Sequence, residues 1–80
     1  MKLTHDPINS VAYLHLRLQE SKSEVVTICL SEELNVDVAP DGTVYGIEFL
    51  DANRQLKGEN NGELVYVNEA LGKSLQVPLG

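Results

Sequence analysis

The chain has no tryptophan, one phenylalanine and one cysteine in 80 residues. With Cys29 alone, no internal disulfide can form and no cysteine-based zinc site can be assembled. A chain this short buries a small share of its surface, so a single core stabilises it only marginally. With staples excluded, self-association is the expected remedy, which predicts a homo-oligomer.

Basic residues are also scarce. Six Lys and Arg face twelve Asp and Glu, a net charge of −6. The bases (Lys2, Arg17, Lys22, Arg54, Lys57, Lys73) are scattered and form no patch. Nucleic-acid binding draws most of its affinity from Lys and Arg, and three Tyr with one Phe make no stacking platform. The expected partner is therefore not nucleic acid; an acidic surface suits a basic protein. "MKLTHDPINS" carries no apolar signal region, and no run approaches the roughly 20 apolar residues of a membrane span. Together with one reduced thiol, this predicts a cytoplasmic protein with no membrane partner.

What is abundant is period-two alternation, the mark of half-buried strands. "VAYLHLRL" (11–18) sets Ala12, Leu14, Leu16 and Leu18 inward, with Val11, Tyr13, His15 and Arg17 outward. "EVVTICL" (24–30) offers Val26, Ile28 and Leu30 against Val25, Thr27 and Cys29. "LNVDV" (34–38) alternates Leu34, Val36 and Val38 with Asn35 and Asp37. Short polar connections favour hairpins over parallel crossovers, which predicts an antiparallel meander. Its register would set Leu18 opposite Val26, Leu16 opposite Ile28 and Leu14 opposite Leu30. Upstream, "KLTH" and "DPINS" read as a short extra strand and a turn.

"VAPDGTVYGIEFLDA" (38–52) carries the most information. Pro40, Asp41 and Gly42 suit a three-residue hairpin loop, pairing Ala39 with Thr43 and Val38 with Val44. An unbroken ladder beyond that point would set Val36 against Gly46 and Leu34 against Glu48, burying a carboxylate at a cost. One extra residue squeezed out at Tyr45-Gly46 instead pairs Val36 with Ile47 and Leu34 with Phe49. Glycine inside a strand pattern is the usual signal for such a bulge. This reading turns Glu48 outward.

After residue 52 the pattern weakens. Asp51 is a candidate cap for one helical turn through "ANRQL". "ELVYVN" (63–68) suits a fifth or sixth strand, and "NEALGKSL" (68–75) a short helix. The predicted fold is a single α+β domain over 1–80, mainly β: an antiparallel meander of four to six strands with a short C-terminal helix.

Candidate chemistry is sparse. His5 and His15 with Asp6 form part of a metal site if the strands bring them together, but three ligands from a short loop are too few to close one. Cys29 could serve as a nucleophile with His15 as a diagonal neighbour, although nothing supplies an oxyanion hole. Asp37 and Glu48 would work as acid and base only if one were buried. "NVDVAPDG" lacks the ligands of a calcium loop, and "LGKS" has Val67 where a phosphate loop needs glycine. No catalytic, cofactor-binding or metal residue is therefore assigned. The outer phase is greasy for a wet face. Tyr13, Val25, Tyr45 and the adjacent Glu48 are the candidate partner surface, unless "ELVYV" and "EALGKSL" cover it.

"HDPINSVAYLHL" followed by "NVDVAPDGTVYGIEFLDA" resembles the small prokaryotic YuzE-like domains, the DUF2283 family, over residues 1–56. The matching positions are Asp6, Pro7 and Tyr13, then Asp37, Asp41, Gly42, Gly46, Ile47, Glu48, Leu50, Asp51 and Ala52. Residues 57–80 then form a C-terminal extension. The resemblance implies a small cytoplasmic β-rich domain with no established activity, and an antitoxin or accessory role beside a small toxin-like protein. It brings no functional residues with it.

The expected function is a non-enzymatic protein-interaction module without a cofactor. The rivals are a small metal-dependent or cysteine-based enzyme using His5, His15 and Cys29, and a purely structural oligomer-forming domain.

Overall fold

The computed structural model describes residues 1–17, 24–58 and 62–79. Among them are seven strands and one helix: β1 (Lys2–Asp6), β2 (Val11–His15), β3 (Val26–Ser31), β4 (Leu34–Val38), β5 (Val44–Leu50), α1 (Ala52–Leu56), β6 (Glu63–Asn68) and β7 (Lys73–Pro78). β1 to β5 form one antiparallel sheet in the order β1-β2-β5-β4-β3, and β6 pairs with β7 in a separate hairpin. The class is the expected one, mainly antiparallel β with a short helix, but with seven strands in two sheets rather than the expected four to six.

The connectivity differs from a meander. β2 lies between β1 and β5, so the chain leaves β2 and crosses to the far edge before β3 begins. The expected pairing of Leu14 and Leu16 with Leu30 and Ile28 is therefore not formed. Leu14 lies between Leu3 and Ile47, and Ile28 faces Val36. Leu18 falls outside the described residues.

The 38–44 loop follows the expectation. Ala39 N donates to Thr43 O at 2.8 Å, and Gly42 takes φ 89°, which a side chain would resist. Asp37 pairs with Gly46 but Val38 pairs with Val44, so Tyr45 is the extra residue. Its carbonyl accepts the N–H groups of Leu16 and Arg17 at 2.9 and 3.2 Å, so the bulge leaves no orphan acceptor. Beyond it, Val36 meets Ile47 and Leu34 meets Phe49, as the bulge reading requires.

This register sorts the sheet into two faces. Leu3, Leu14, Ile47, Val36 and Ile28 stand in one apolar row across all five strands, with His5, Ala12, Phe49 and Leu34 in the next. The opposite face carries Tyr13, Glu48 and Asn35, and beside them His15, Gly46, Asp37 and Thr27.

α1 covers only one end of the apolar face, from buried Ala12 and Ala52 to the β3–β4 turn, where Gln55 Nε2 donates to Glu33 O at 3.0 Å. Asp51 starts this helix in the left-handed region at φ 51°, and its carboxylate makes no cap. It accepts Arg54 Nε at 2.7 Å instead. The cap comes from the β1–β2 turn: Ser10 O accepts Ala52 N, and Ser10 Oγ accepts Asn53 N. Two of the orphan donors of the first turn are satisfied in this way. Asn53 then bonds His5 and the Pro7 carbonyl, at 2.8 Å each.

The C-terminal helix expected over 68–75 is not formed. Asn68 Oδ1 accepts Leu71 N, Gly72 adopts φ 64°, and β7 returns along β6. Leu64 faces Val77 and Tyr66 faces Leu75, which gives the hairpin one apolar face. No helix among the described residues is long and apolar enough to cross a membrane.

Candidate functional site

The polar face of the sheet is tied together by side chains reaching from strand to strand. Tyr13 stands on β2 and Asp37 on β4, with β5 between them. The gap between those two strand axes is roughly 10 Å. Tyr13 spans it by lying over Gly46 and donating its hydroxyl to Asp37 Oδ2 at 2.5 Å. A Cβ at position 46 would overlap the phenol ring. The glycine that marks the bulge thus also provides the space for this contact.

Asp37 is shared. Thr27 Oγ1 donates to its Oδ1 at 2.7 Å, which extends the link to the edge strand β3. One row along, Asn35 Nδ2 donates to Glu48 Oε1 at 2.9 Å. On the other side, the His15 ring packs against Tyr13 with centroids 4.5 Å apart, while its Nε2 lies 3.4 Å from Thr4 Oγ1. Beside this belt is a shallow cleft of ≈ 480 Å³, lined by Lys2, Tyr13, His15, Arg17, Asp37 and Tyr45 among others.

The hydrogen bond to Asp37 also bears on the charge state of Tyr13. Loss of water, then the bond to Asp37, pushes the Tyr13 phenol up to about 12. It is therefore a neutral hydrogen-bond donor at neutral pH, not a nucleophile. Asp37 and Glu48 both accept hydrogen bonds from neighbouring side chains, and Glu48 is half-buried on the polar face.

Of the four candidate partner residues, Tyr13 and Tyr45 share the cleft, and Glu48 pairs with Tyr13 in the ladder. Val25 is half-buried just ahead of β3, at the far side of the sheet. Lys2, His15 and Asp37 join the cleft without having been singled out as partner contacts.

The residues of the enzymatic rival are not assembled. His5 lies in the row of Ala12 and Phe49, whereas His15 lies in that of Gly46 and Asp37, so the two imidazoles occupy opposite faces. The expected diagonal between His15 and Cys29 is also lost. β5 and β4 separate their strands, a distance of roughly 14 Å. Cys29 is exposed and its Sγ lies 3.2 Å from Ser31 O. No group of three His, Cys, Asp or Glu gathers closely enough to hold a metal ion among the described residues.

A second feature is apolar. Among the described residues the fully buried hydrophobics are Ala12 and Ala52 alone. Val26, Ile28 and Leu30 on β3 are exposed by 61, 45 and 61%. Leu64, Tyr66, Leu75 and Val77 on the hairpin are exposed by 49 to 69%. The greasiest surface is thus the inward phase of β3 and the hairpin, rather than the outer phase of β2 and β3. Alternation alone assigns that phase to the core; its exposure follows because β3 is an edge strand and α1 lies across one end of the sheet, touching the β3–β4 turn only at Glu33 through Arg54 and Gln55.

Neither a curated protein nor a solved structure matches the chain. A family model described as a protein of unknown function matches residues 2–53, which takes in the whole five-stranded sheet and stops before the hairpin. That is well over half of the chain, which therefore belongs to the DUF2283 family.

Proposed function

We propose that the chain is a non-enzymatic protein-interaction module whose sheet completes its core against another protein surface. The supporting observation is the open apolar face. A sheet with one hydrophobic side must bury it against a second layer, and the five residues of α1 supply only one end of one. The chain exposes 6134 Å², against about 4,800 Å² for a compact monomer of its mass. The excess, roughly 1,300 Å², exceeds what one partner contributes to a standard interface.

Self-association accounts for this surface most directly. The net charge of −6 adds selectivity for a basic partner. An antitoxin-like or accessory role beside a small basic protein is the specific form of the proposal. The exposed lone thiol of Cys29 suits a reducing cytoplasm. The polar latch between Tyr13 and Asp37 holds the sheet in register and presents Lys2, Arg17 and Tyr45 beside it.

Sedimentation equilibrium of the purified chain tests this reading. The expected result is a defined oligomer, which Ile28→Lys dissociates without loss of β-sheet signal. A monomer at high micromolar concentration that binds no hydrophobic dye would refute it.

A further inference from the structure

The hairpin β6–β7 and the open sheet face each require something the other has. A two-stranded hairpin with no support is marginally stable in water. This one nevertheless carries an apolar stripe of Leu64, Tyr66, Leu75 and Val77. Among the described residues it makes no extended contact with its own sheet, and its root at Gly62 lies against Lys57, just past the end of α1. The radius of gyration is 14.3 Å, where a compact chain of this length has about 11.6 Å.

The sheet has the complementary lack. Val26, Ile28 and Leu30 stand open beside half-buried Val36 and Ile47, and no charged side chain lies in the row from Leu3 to Ile28. A strand of six residues is roughly 20 Å long, close to the width of five paired strands. The hairpin is thus the right size and polarity to form a second layer.

We infer that the hairpin of one copy packs on the apolar sheet face of a second copy, and the reverse, in a two-fold dimer. The inference rests on the interaction-module reading and names the occupant of its open face. Reciprocal exchange uses the same two patches on each copy, so the contact closes at two and leaves neither patch over. Burying the surface excess of both chains removes roughly 2,600 Å² in all, within the range of obligate dimers. The polar face, with Tyr13, Asp37 and the cleft, is left free in that dimer.

The test is nuclear magnetic resonance on the full chain, with labelled and unlabelled copies mixed, together with sedimentation. The expected result is a dimer in which methyl groups of Leu64, Leu75 and Val77 show cross-chain contacts to Ile28, Val36 and Ile47. Leu75→Lys should weaken dimerisation by at least a hundredfold. Cross-chain contacts running from sheet to sheet would overturn the exchange while leaving the interaction module standing. A monomer whose hairpin folds back on its own sheet would overturn both. The wild-type spectra decide the matter even if the Lys variant fails to fold.

Discussion

Replacing Gly46 by alanine should cost far more than a methyl group on a strand normally does. Its φ is not positive, so alanine fits the backbone, and in a strand it should gain about 0.5–1 kcal/mol over glycine. The added Cβ, however, occupies the space taken by the Tyr13 ring. Tyr13 must swing aside and release Asp37, a hydrogen bond to a charged group worth about 1.5–3 kcal/mol. Tyr13 is only half-buried, so water recovers part of this and the lower half of the range applies. Crowding adds about 1 kcal/mol. The net expectation is a loss of about 2 kcal/mol. In a Tyr13→Ala background the clash and the bond are both gone, and Gly46→Ala should become neutral or stabilising. The coupling between the two sites is then about 2–3 kcal/mol. Urea unfolding followed by circular dichroism, at one fixed protein concentration because any association would shift the midpoint, measures all four corners of the cycle. A coupling below about 0.5 kcal/mol would show that the ring does not need the glycine.

Other outcomes follow from the same geometry. Tyr13 is held neutral up to about 12, above the ordinary 10.0, so its contribution to stability is complete below pH 10 and is lost as pH rises towards 12. Ultraviolet titration should show one of the three tyrosines ionising late, with part of the delay removed by Asp37→Asn. Asp6 lies below the ordinary carboxylate value, chiefly through the Asn9 side chain, and Asp41 through hydrogen bonds from Thr43. Their contributions are complete above the ordinary 3.8 and fade as pH falls through the lowered values, so Asp6→Ala and Asp41→Ala should each flatten the acid limb of the stability profile. Cys29 is exposed on the polar face, so in the folded protein a thiol reagent should reach it within roughly tenfold of its rate in the unfolded chain. Strong protection would place that face in the interface.

The parts of the fold legible in the sequence are those decided locally. Pro40, Asp41 and Gly42 fix a loop whatever surrounds them, and Gly46 among Ile47, Glu48 and Phe49 leaves one register that keeps the carboxylate off the apolar side. Strand order is another matter. Leu14 packs equally well beside Leu30 or beside Ile47, and alternation says which face a residue takes, not which strand lies next to it. The same gap concealed the Tyr13–Asp37 bond, which exists only because β5 is inserted between β2 and β4. In the tail, Leu71 and Leu75 stand four apart and imitate a helical stripe. The local preference is overridden by Asn68 and Gly72, which close a turn, and by the unpaired β6, which gains a ladder from β7.

The unpaired Tyr45 makes β5 behave like a reading frame. Substitutions there change what a position says but not which side it speaks to. Adding one residue after Gly46 would invert every later position relative to β4, sending Ile47 and Phe49 to water and Glu48 into grease. Losing Tyr45 itself would instead leave an unbroken ladder, with Val36 still against Ile47 and Leu34 against Phe49. Natural variation in this stretch should therefore tolerate many exchanges of identity, and loss of the squeezed-out residue, but almost no insertion.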